Sequence, residues 1–342
     1  MRVLWLPFSL LRVVFVITML VCALLILALL ALCMGIRPLS LVNVLDSVRF
    51  VAPERSLDGL LVMMLRLPRF IVGGLVGLSL AVSGVLLQTV SRNVLADPTL
   101  TGVMSGAALA VVATLLLFPT VSALWHPLIA MIGGGSSALL SVVLAWRGHL
   151  SPLRFALSGL TVAALGNAAI VSLLVVTGPQ AGPIFYWLAG GLAGVGWFQV
   201  TLILPWSILG CVLAFVFVPM LNTMALGDEA AEAVGLNLRF WRCICTLIAV
   251  GLAAAVVAVA GPIGFVGLGV PHLVRLTLGY DHRVLLPVAG LGGALLVTTA
   301  DLLARTVVSP RELPVGFLTA LTVVPLLIVL IRRRTGQECS YG

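Results

Sequence analysis

The sequence contains no lysine, and only 9% of its 342 residues are charged. A P-loop requires a lysine to contact the nucleotide phosphates, so this chain cannot hold ATP in a P-loop of its own. Schiff-base catalysis by a lysine is excluded for the same reason. Soluble domains carry about 25% charged residues, whereas 61% of this chain is hydrophobic. The composition is therefore that of an integral membrane protein.

Cysteine and catalytic patterns are also scarce. Of the six cysteines, Cys22, Cys33 and Cys211 lie in apolar runs, and Cys243 and Cys245 are too close together for a metal pair. We interpret them as packing residues within the membrane. The sequence has no HExxH pair and no recognisable serine–histidine–carboxylate constellation. We therefore expect no catalytic residue, no metal site and no cofactor.

Long apolar runs dominate what is present. A membrane-spanning helix needs about 20 mostly apolar residues. Segments of this kind lie near 11–34, 69–90, 100–118, 126–146, 155–176, 198–219, 240–260, 262–279, 284–304 and 314–331. The predicted fold class is an all-α integral membrane protein with about ten transmembrane helices, in a single transmembrane domain over residues 1–342.

The arginines predict the topology and argue against a nucleic-acid partner. The net charge of +8 comes from arginines scattered between apolar runs, without the basic face that binds nucleic acid. The first apolar run follows Arg2 and Arg12 and is too long for a signal peptide. If that helix starts inside, twelve arginines fall inside and seven outside. This bias predicts that both termini are cytoplasmic.

Two connecting segments carry helical signals of their own. In the inside loop 220–238, Asp228 is a predicted N-cap and Gly235 a predicted C-cap, which indicates a short helix over 228–234. Such a helix is either a plain surface helix or a knob that docks into another protein. On the outside, the aromatic stretch 184–190 is expected to form a short interfacial helix.

Small residues recur along the second apolar run. Gly73 and Gly77 form a GxxxG pattern, which Ala81 and Gly84 continue near the same face. This spacing lets two helix backbones approach closely. We favour packing inside the helix bundle over a dimer seam as its explanation.

Several short motifs together resemble the FecCD-type permeases, the membrane subunits of type II ATP-binding-cassette importers for iron chelates, haem and cobalamin. The resemblance covers nearly the whole chain, and the motifs occur in the family's order. They are Arg66-Leu67-Pro68-Arg69, Gln88-Thr89-Val90-Ser91-Arg92-Asn93-Val94-Leu95-Ala96-Asp97-Pro98, Ser105-Gly106-Ala107, Phe185-Tyr186-Trp187-Leu188-Ala189-Gly190-Gly191, Gly261-Pro262-Ile263-Gly264-Phe265-Val266-Gly267, Pro271-His272, Asp281-His282-Arg283 and Glu312-Leu313-Pro314-Val315-Gly316. One departure is Val94, where the family usually has proline.

The resemblance implies a type II importer permease fold in the bacterial inner membrane. Such a subunit pairs with an identical copy or a paralogue around a central pathway, two cytoplasmic ATPase subunits drive it, and a periplasmic binding protein delivers the ligand. The expected ligand is an iron(III)–siderophore chelate, with haem or cobalamin as alternatives. The residues expected to couple to the ATPase are Leu226, Gly227, Asp228, Glu229, Ala230, Ala231 and Gly235.

Two further sites follow from the resemblance. A cytoplasmic gate is expected where the turn after the second helix meets the loop before the fifth, at Asn93, Val94, Leu95, Pro152 and Leu153. Arg66, Arg69 and Arg305 are expected to bind acidic residues of the binding protein. Arg66 and Arg69 have no acid within seven residues in the sequence, and Pro68 is expected to fix the backbone just before the second helix begins.

Ionisable residues inside apolar runs decide between transport mechanisms. Only Asp301 and His272 lie well inside such runs, where charges are costly. Asp301 precedes Arg305 by four residues, which is the spacing of a helical ion pair; a role in the transport pathway is the alternative. His272 is interpreted as a neutral, hydrogen-bonded side chain. An ion-coupled secondary transporter usually needs several buried acids or an unwound ion site, and only Asp301 is available, so that class is the weaker hypothesis. A membrane enzyme or receptor is equally weak.

Overall fold

A computed structural model describes residues 10–35, 37–48, 57–145, 152–309 and 311–338 of the chain. The helices are α1 (Leu10–Cys33), α2 (Leu41–Val48), α3 (Leu57–Leu60), α4 (Leu67–Ser91), α5 (Val103–Leu117), α6 (His126–Ala145), α7 (Pro152–Thr177), α8 (Gly182–Leu188), α9 (Trp197–Val216), α10 (Val218–Ala225), α11 (Asp228–Ala233), α12 (Leu238–Ala260), α13 (Val266–Leu278), α14 (His282–Thr306) and α15 (Val315–Glu338). A π-helical turn, Leu61–Arg66, joins α3 to α4, and 3₁₀ turns at Ala123–Trp125 and Gly178–Ala181 precede α6 and α8.

Ten of these helices fit the predicted spans. Among the described residues, seven helices are long and apolar enough to cross a membrane, and three shorter apolar helices accompany them. The seven are α1, the continuous α3–α4 helix, α6, α7, α9, α12 and α14, and the three are α5, α13 and α15. Each predicted segment overlaps one of the ten, so the all-α transmembrane fold class is confirmed.

Helix α4 lies at the centre of the bundle. It packs against α14, α12, α9 and α13, and its small residues make this possible. A Cβ placed on Gly77 would overlap the carbonyl oxygen of Gly293 in α14, and a Cβ on Gly293 would overlap the carbonyl oxygen of Gly77. The backbones of α4 and α14 are therefore in direct contact. This confirms packing inside the bundle as the explanation of the glycine pattern.

The second spanning helix begins earlier than predicted. It runs continuously from Leu57 to Ser91, so Pro68 lies inside a helix and the predicted boundary at residue 69 is wrong. The π-helical turn just before Pro68 accommodates it. Leu67 N donates to Val62 O, five residues earlier, which widens the helix where the proline ring would otherwise crowd it.

The connecting segments are more helical than expected. The predicted loop 220–238 contains the expected short helix, as α11, and also most of α10, which was not expected. Pro152 and Leu153 begin α7, so they do not lie in a loop. The predicted short helix 184–190 is found as α8, shifted by two residues towards the N-terminus.

Candidate functional site

Arg69, in the first turn of α4, holds two carboxylates from distant parts of the chain. Its Nε and Nη2 donate to Asp301 Oδ1 at 2.9 and 2.8 Å, and its Nη1 and Nη2 donate to the two oxygens of Glu312 at 2.9 Å each. Asp301 lies on α14. Glu312 precedes α15, where Leu313 N donates to Ala304 O at 3.0 Å. Two-pronged arginine–carboxylate pairs are geometrically specific, so Arg69 ties α4, α14 and the start of α15 together.

Arg66 and Arg305 cap the C-terminal end of α1. Arg66 Nη1 donates to the carbonyl oxygens of Leu32 and Cys33, and Arg305 Nη2 donates to Ala31 O at 3.0 Å. The last carbonyl groups of a helix lack intrahelical partners, and cationic side chains stabilise that end. Each of the two arginines is only 7% exposed. Their guanidinium groups are thus engaged within the chain, which the sequence did not reveal.

The structure brings the three predicted docking arginines into one cluster with Asp301 and Glu312. Asp301 Oδ2 lies 3.8 Å from Arg305 Nε, which confirms the predicted i,i+4 pair, although Arg69 is the nearer partner. Arg69 and Arg305 lie within 4 Å of these carboxylates, whereas Arg66 donates to backbone carbonyl oxygens of the α1 end. Docking itself stays a prediction.

The predicted coupling residues lie at the opposite end of α4, near Arg92. Arg69 and Arg92 are 23 residues apart on and just after this helix, which corresponds to about 34 Å. This separation matches the roughly 30 Å hydrocarbon thickness of a bilayer. We call the two ends of the bundle the Arg69 end and the α11 end.

At the α11 end, Asp228 has a different role from the predicted one. The N-cap of α11 is Gly227, and Asp228 is the first helical residue. Its carboxylate accepts from Arg242 Nη2 at 2.6 Å and lies 3.1 Å from Arg92 Nη2. Gly235, just past the end of α11, has a φ of +86°, the left-handed conformation predicted for a helix-terminating glycine.

Two apolar side chains of this segment face outwards. Leu226 is 73% exposed and Val234 is 76% exposed. Ala231, by contrast, is fully buried against Met224 and Leu238, so it anchors the segment and presents no surface to a partner. The other predicted coupling residues on the exposed side are Glu229, Ala230 and Gly235.

The turn that follows α4 is held by its own side chain. Asn93 Oδ1 accepts from Leu95 N at 3.0 Å, and Val94 and Leu95 are exposed. The side chains of Pro152 and Leu153 lie outside the described residues. The gate formed by these two elements therefore stays a prediction.

A cavity of about 410 Å³ opens beside α7. Its walls come from α5, α7, α8 and two connecting segments, and they are mostly apolar. The polar side chains in its lining are Thr99, Ser105 and Asn167.

Sequence reasoning missed two polar contacts near the α11 end. Arg275 Nη1 donates to Gln88 Oε1, and both side chains are buried. His282 is also buried, at 2% exposure, and its Nδ1 lies 2.7 Å from Asn222 Oδ1. The available signal was the position of Gln88 and His282 within two of the family motifs.

The carboxylate beside His282 is stabilised in its charged form. Burial acts to raise the pKa of Asp281, but hydrogen bonds from Arg283 N at 3.0 Å and Asn222 Nδ2 at 2.9 Å lower this pKa below its ordinary value overall. Asp281 is therefore a fixed acceptor at neutral pH.

These features can be compared with known proteins. The profile of the FecCD transport family matches residues 23–333. The chain belongs to the FecCD transport family. It is 38% identical to the Fe(3+)-citrate import system permease protein YfmD of Bacillus subtilis (strain 168), over 85% of this chain and 87% of the relative. It is 42% identical to the hemin transport system permease protein HmuU of Yersinia pestis, over 80% of this chain and 84% of the relative.

A solved structure has the same architecture as this FecCD chain. It is an inward-facing conformation of a metal-chelate type ABC transporter, with 29% sequence identity and a TM-score of 0.79, and it covers 93% of this chain and 98% of that one. This member of the FecCD family is therefore an integral membrane component of a transport system and not an enzyme.

Proposed function

We propose that the chain is the permease subunit of an ATP-binding-cassette importer that moves an iron(III)–siderophore chelate across a bacterial inner membrane. The observation that carries this proposal is the family match over residues 23–333, together with a relative that imports Fe(3+)-citrate and matches over 85% of the chain. ATP hydrolysis then takes place on two partner ATPase subunits, because the sequence has no P-loop lysine.

The α11 end is the proposed ATPase contact, and we place it together with both termini in the cytoplasm. Leu226 and Val234 support this assignment, because they place a highly exposed apolar side chain on each side of the short helix α11, where a partner protein would cover both. The pairs from Asp228 to Arg92 and Arg242 hold the segment against α4 and α12. A force applied to α11 would therefore reach the transmembrane bundle.

The Arg69 end is the proposed docking surface for a periplasmic binding protein. Its three arginines favour acidic residues on the partner, and complementary charge raises the association rate and fixes the register. Arg69 is the proposed centre, since its side chain keeps 12% exposure. Arg66 and Arg305 contribute charge to this end although each is only 7% exposed.

The cavity beside α7 is the proposed wall of the pathway, which a second permease copy or a paralogue would complete. Its mostly apolar lining, with Thr99, Ser105 and Asn167 as polar groups, suits a bulky ligand whose metal is already chelated. Such a ligand needs shape and weak hydrogen bonds from the wall, and no side chain that coordinates the metal.

Haem is the second candidate ligand, because the hemin permease relative is 42% identical over 80% of the chain. The test is uptake by a strain that lacks its own FecCD-type importers and expresses this chain with its cognate ATPase and binding protein. Radiolabelled ferric citrate, ferric hydroxamate, hemin and cobalamin are supplied separately. The proposal expects accumulation of a ferric siderophore, and accumulation of hemin or cobalamin alone would overturn the assigned ligand.

A further inference from the structure

A chain of hydrogen bonds joins the segment before α11 to the last turn of α4. Asn222, on α10, accepts at Oδ1 from His282 N at 3.0 Å and lies 2.7 Å from His282 Nδ1. His282 Nε2, on the other edge of the ring, lies 2.8 Å from Thr89 Oγ1 on α4. His282 and Thr89 are both buried. The ring therefore connects α10, which precedes the proposed ATPase contact, with α4, which precedes the predicted gate.

The direction of each hydrogen bond in this chain is set by Asp281. Its Oδ1 accepts from Asn222 Nδ2 at 2.9 Å, and a carboxylate can only accept, so the amide oxygen of Asn222 must face His282. His282 Nδ1 then carries the proton. In the neutral ring that burial favours, Nε2 is the acceptor and Thr89 Oγ1 is the donor.

Thr89 has a second acceptor within reach. Its Oγ1 also lies 2.8 Å from Val85 O, one turn earlier in α4. The hydroxyl has a single proton, so it donates either to His282 or to its own helix. The contact between Thr89 and His282 can thus be broken and remade without leaving the hydroxyl proton unpaired.

A second connection lies one turn further along. Arg92, directly after α4, donates from Nη2 to Met224 O at 3.2 Å, at the end of α10, and lies 3.1 Å from Asp228 Oδ1 at the start of α11. Its φ of +51° is uncommon for a residue with a side chain. The last turn of α4 is therefore joined to the α10–α11 segment at two levels.

We infer that His282 is a positioning residue for transport, which transmits a displacement of the α10–α11 segment through Asn222 to Thr89 and so to the turn after α4. This inference rests on the proposed contact between α11 and the ATPase. Its physical basis is that hydrogen bonds are directional, so a shift of Asn222 must either turn the buried ring or break its contact. The predicted gate residue Asn93 lies two residues after the end of α4, so a displacement of the last turn of α4 would reach it.

The test uses the full importer in liposomes, with its ATPase subunits and binding protein, and measures ATP hydrolysed per chelate transported. Thr89→Val keeps the side-chain shape and removes the hydroxyl, whereas Thr89→Ser retains it. The matched control is Thr223→Val, next to Asn222 on α10. Among the described residues, the hydroxyl of Thr223 donates within its own helix, to Pro219 O at 2.9 Å.

We expect Thr89→Val to raise the number of ATP molecules hydrolysed per chelate transported by at least about fivefold, which is the lower end of typical coupling between two sites. The ATPase subunits should remain bound to this variant. Thr89→Ser and Thr223→Val should behave like the unaltered chain. Asn222→Ala should raise the ratio too, and adding Thr89→Val to it should have little further effect, because both changes break one chain of contacts.

An unchanged ratio in Thr89→Val, or full additivity in the double variant, would overturn the inference. If Thr89→Val fails to assemble, the Asn222→Ala variant decides alone, by the same ratio. A different result would show that the proposed ATPase contact itself is wrong. In that case the Val234→Arg permease would still bind the ATPase subunits. When Val234→Arg abolishes association and the Thr89 and Asn222 variants behave like the unaltered chain, only the role of His282 is refuted.

Discussion

Replacing Gly77 with alanine adds one methyl group at the point where α4 and α14 touch. The new Cβ would overlap the carbonyl oxygen of Gly293, and that oxygen belongs to a helix backbone that cannot rotate away. The two helices would have to separate, which would also disturb the contacts of α4 with α9, α12 and α13. We therefore expect Gly77→Ala to destabilise the bundle.

The size of the stability loss depends on whether the atoms that the new methyl group meets can move. Overpacking a core costs about 1–3 kcal/mol when side chains can adjust. Here the three atoms nearest the new Cβ all belong to the backbone of Gly293 and Ala294, so we expect a loss of about 3 kcal/mol or more. The matched control is Gly74→Ala on the same helix, since a Cβ there would meet no atom within 4 Å. Alanine favours a helix over glycine by up to about 1 kcal/mol, so Gly74→Ala should be neutral or slightly stabilising.

The assay is thermal unfolding of the purified chain in detergent, followed as the loss of the monodisperse peak in size-exclusion chromatography. We expect Gly77→Ala to unfold several degrees below the unaltered chain, and Gly293→Ala to behave in the same way from the opposite helix. Equal unfolding temperatures for Gly77→Ala and Gly74→Ala would refute the direct backbone contact between α4 and α14.

Three further predictions follow. Asp301→Asn removes one charge of a buried ion pair and should lower stability by about 3 kcal/mol, whereas Arg37→Gln, whose side chain is 60% exposed, should change it by less than about 1 kcal/mol; comparable losses in thermal unfolding would contradict the assigned network. Val234→Arg should reduce co-purification of the ATPase subunits without lowering thermal stability, and normal co-purification would argue against the α11 contact. In a cysteine-free background, Asn93→Cys and Leu153→Cys should be labelled from the cytoplasmic side at rates that depend on the bound nucleotide, and identical rates in every nucleotide state would exclude a gate there.

The sequence predicted the ten spanning segments because bilayer thickness imposes a length on every apolar run. It failed at the start of α4, where Asp58, Arg66 and Pro68 each argue locally against a helix. In the folded chain, Asp58 and Arg66 have partners from other parts of the chain, and a local change of helix type accommodates Pro68. Asp58 lies 3.3 Å from Arg37, Arg66 caps α1, and the π-helical turn relieves Pro68.

Long-range partners limited the prediction of the sites. Spacing alone found the pair of Asp301 with Arg305, four residues away. It could not find the stronger pair with Arg69, which lies 232 residues earlier in the chain. In the same way, an acidic residue at the start of a short helix indicated an N-cap at Asp228, whereas its carboxylate is held by arginines from α12 and the end of α4.

The central claim is that ATP drives this chain to import a ferric chelate. Its most direct test is accumulation of a radiolabelled ferric siderophore in liposomes that contain the permease with its ATPase subunits, supplied with the binding protein. We expect accumulation only when ATP, the ATPase subunits and the binding protein are all present, and no effect of an imposed proton or sodium gradient. Accumulation driven by an ion gradient without ATP would contradict the account and indicate a secondary transporter.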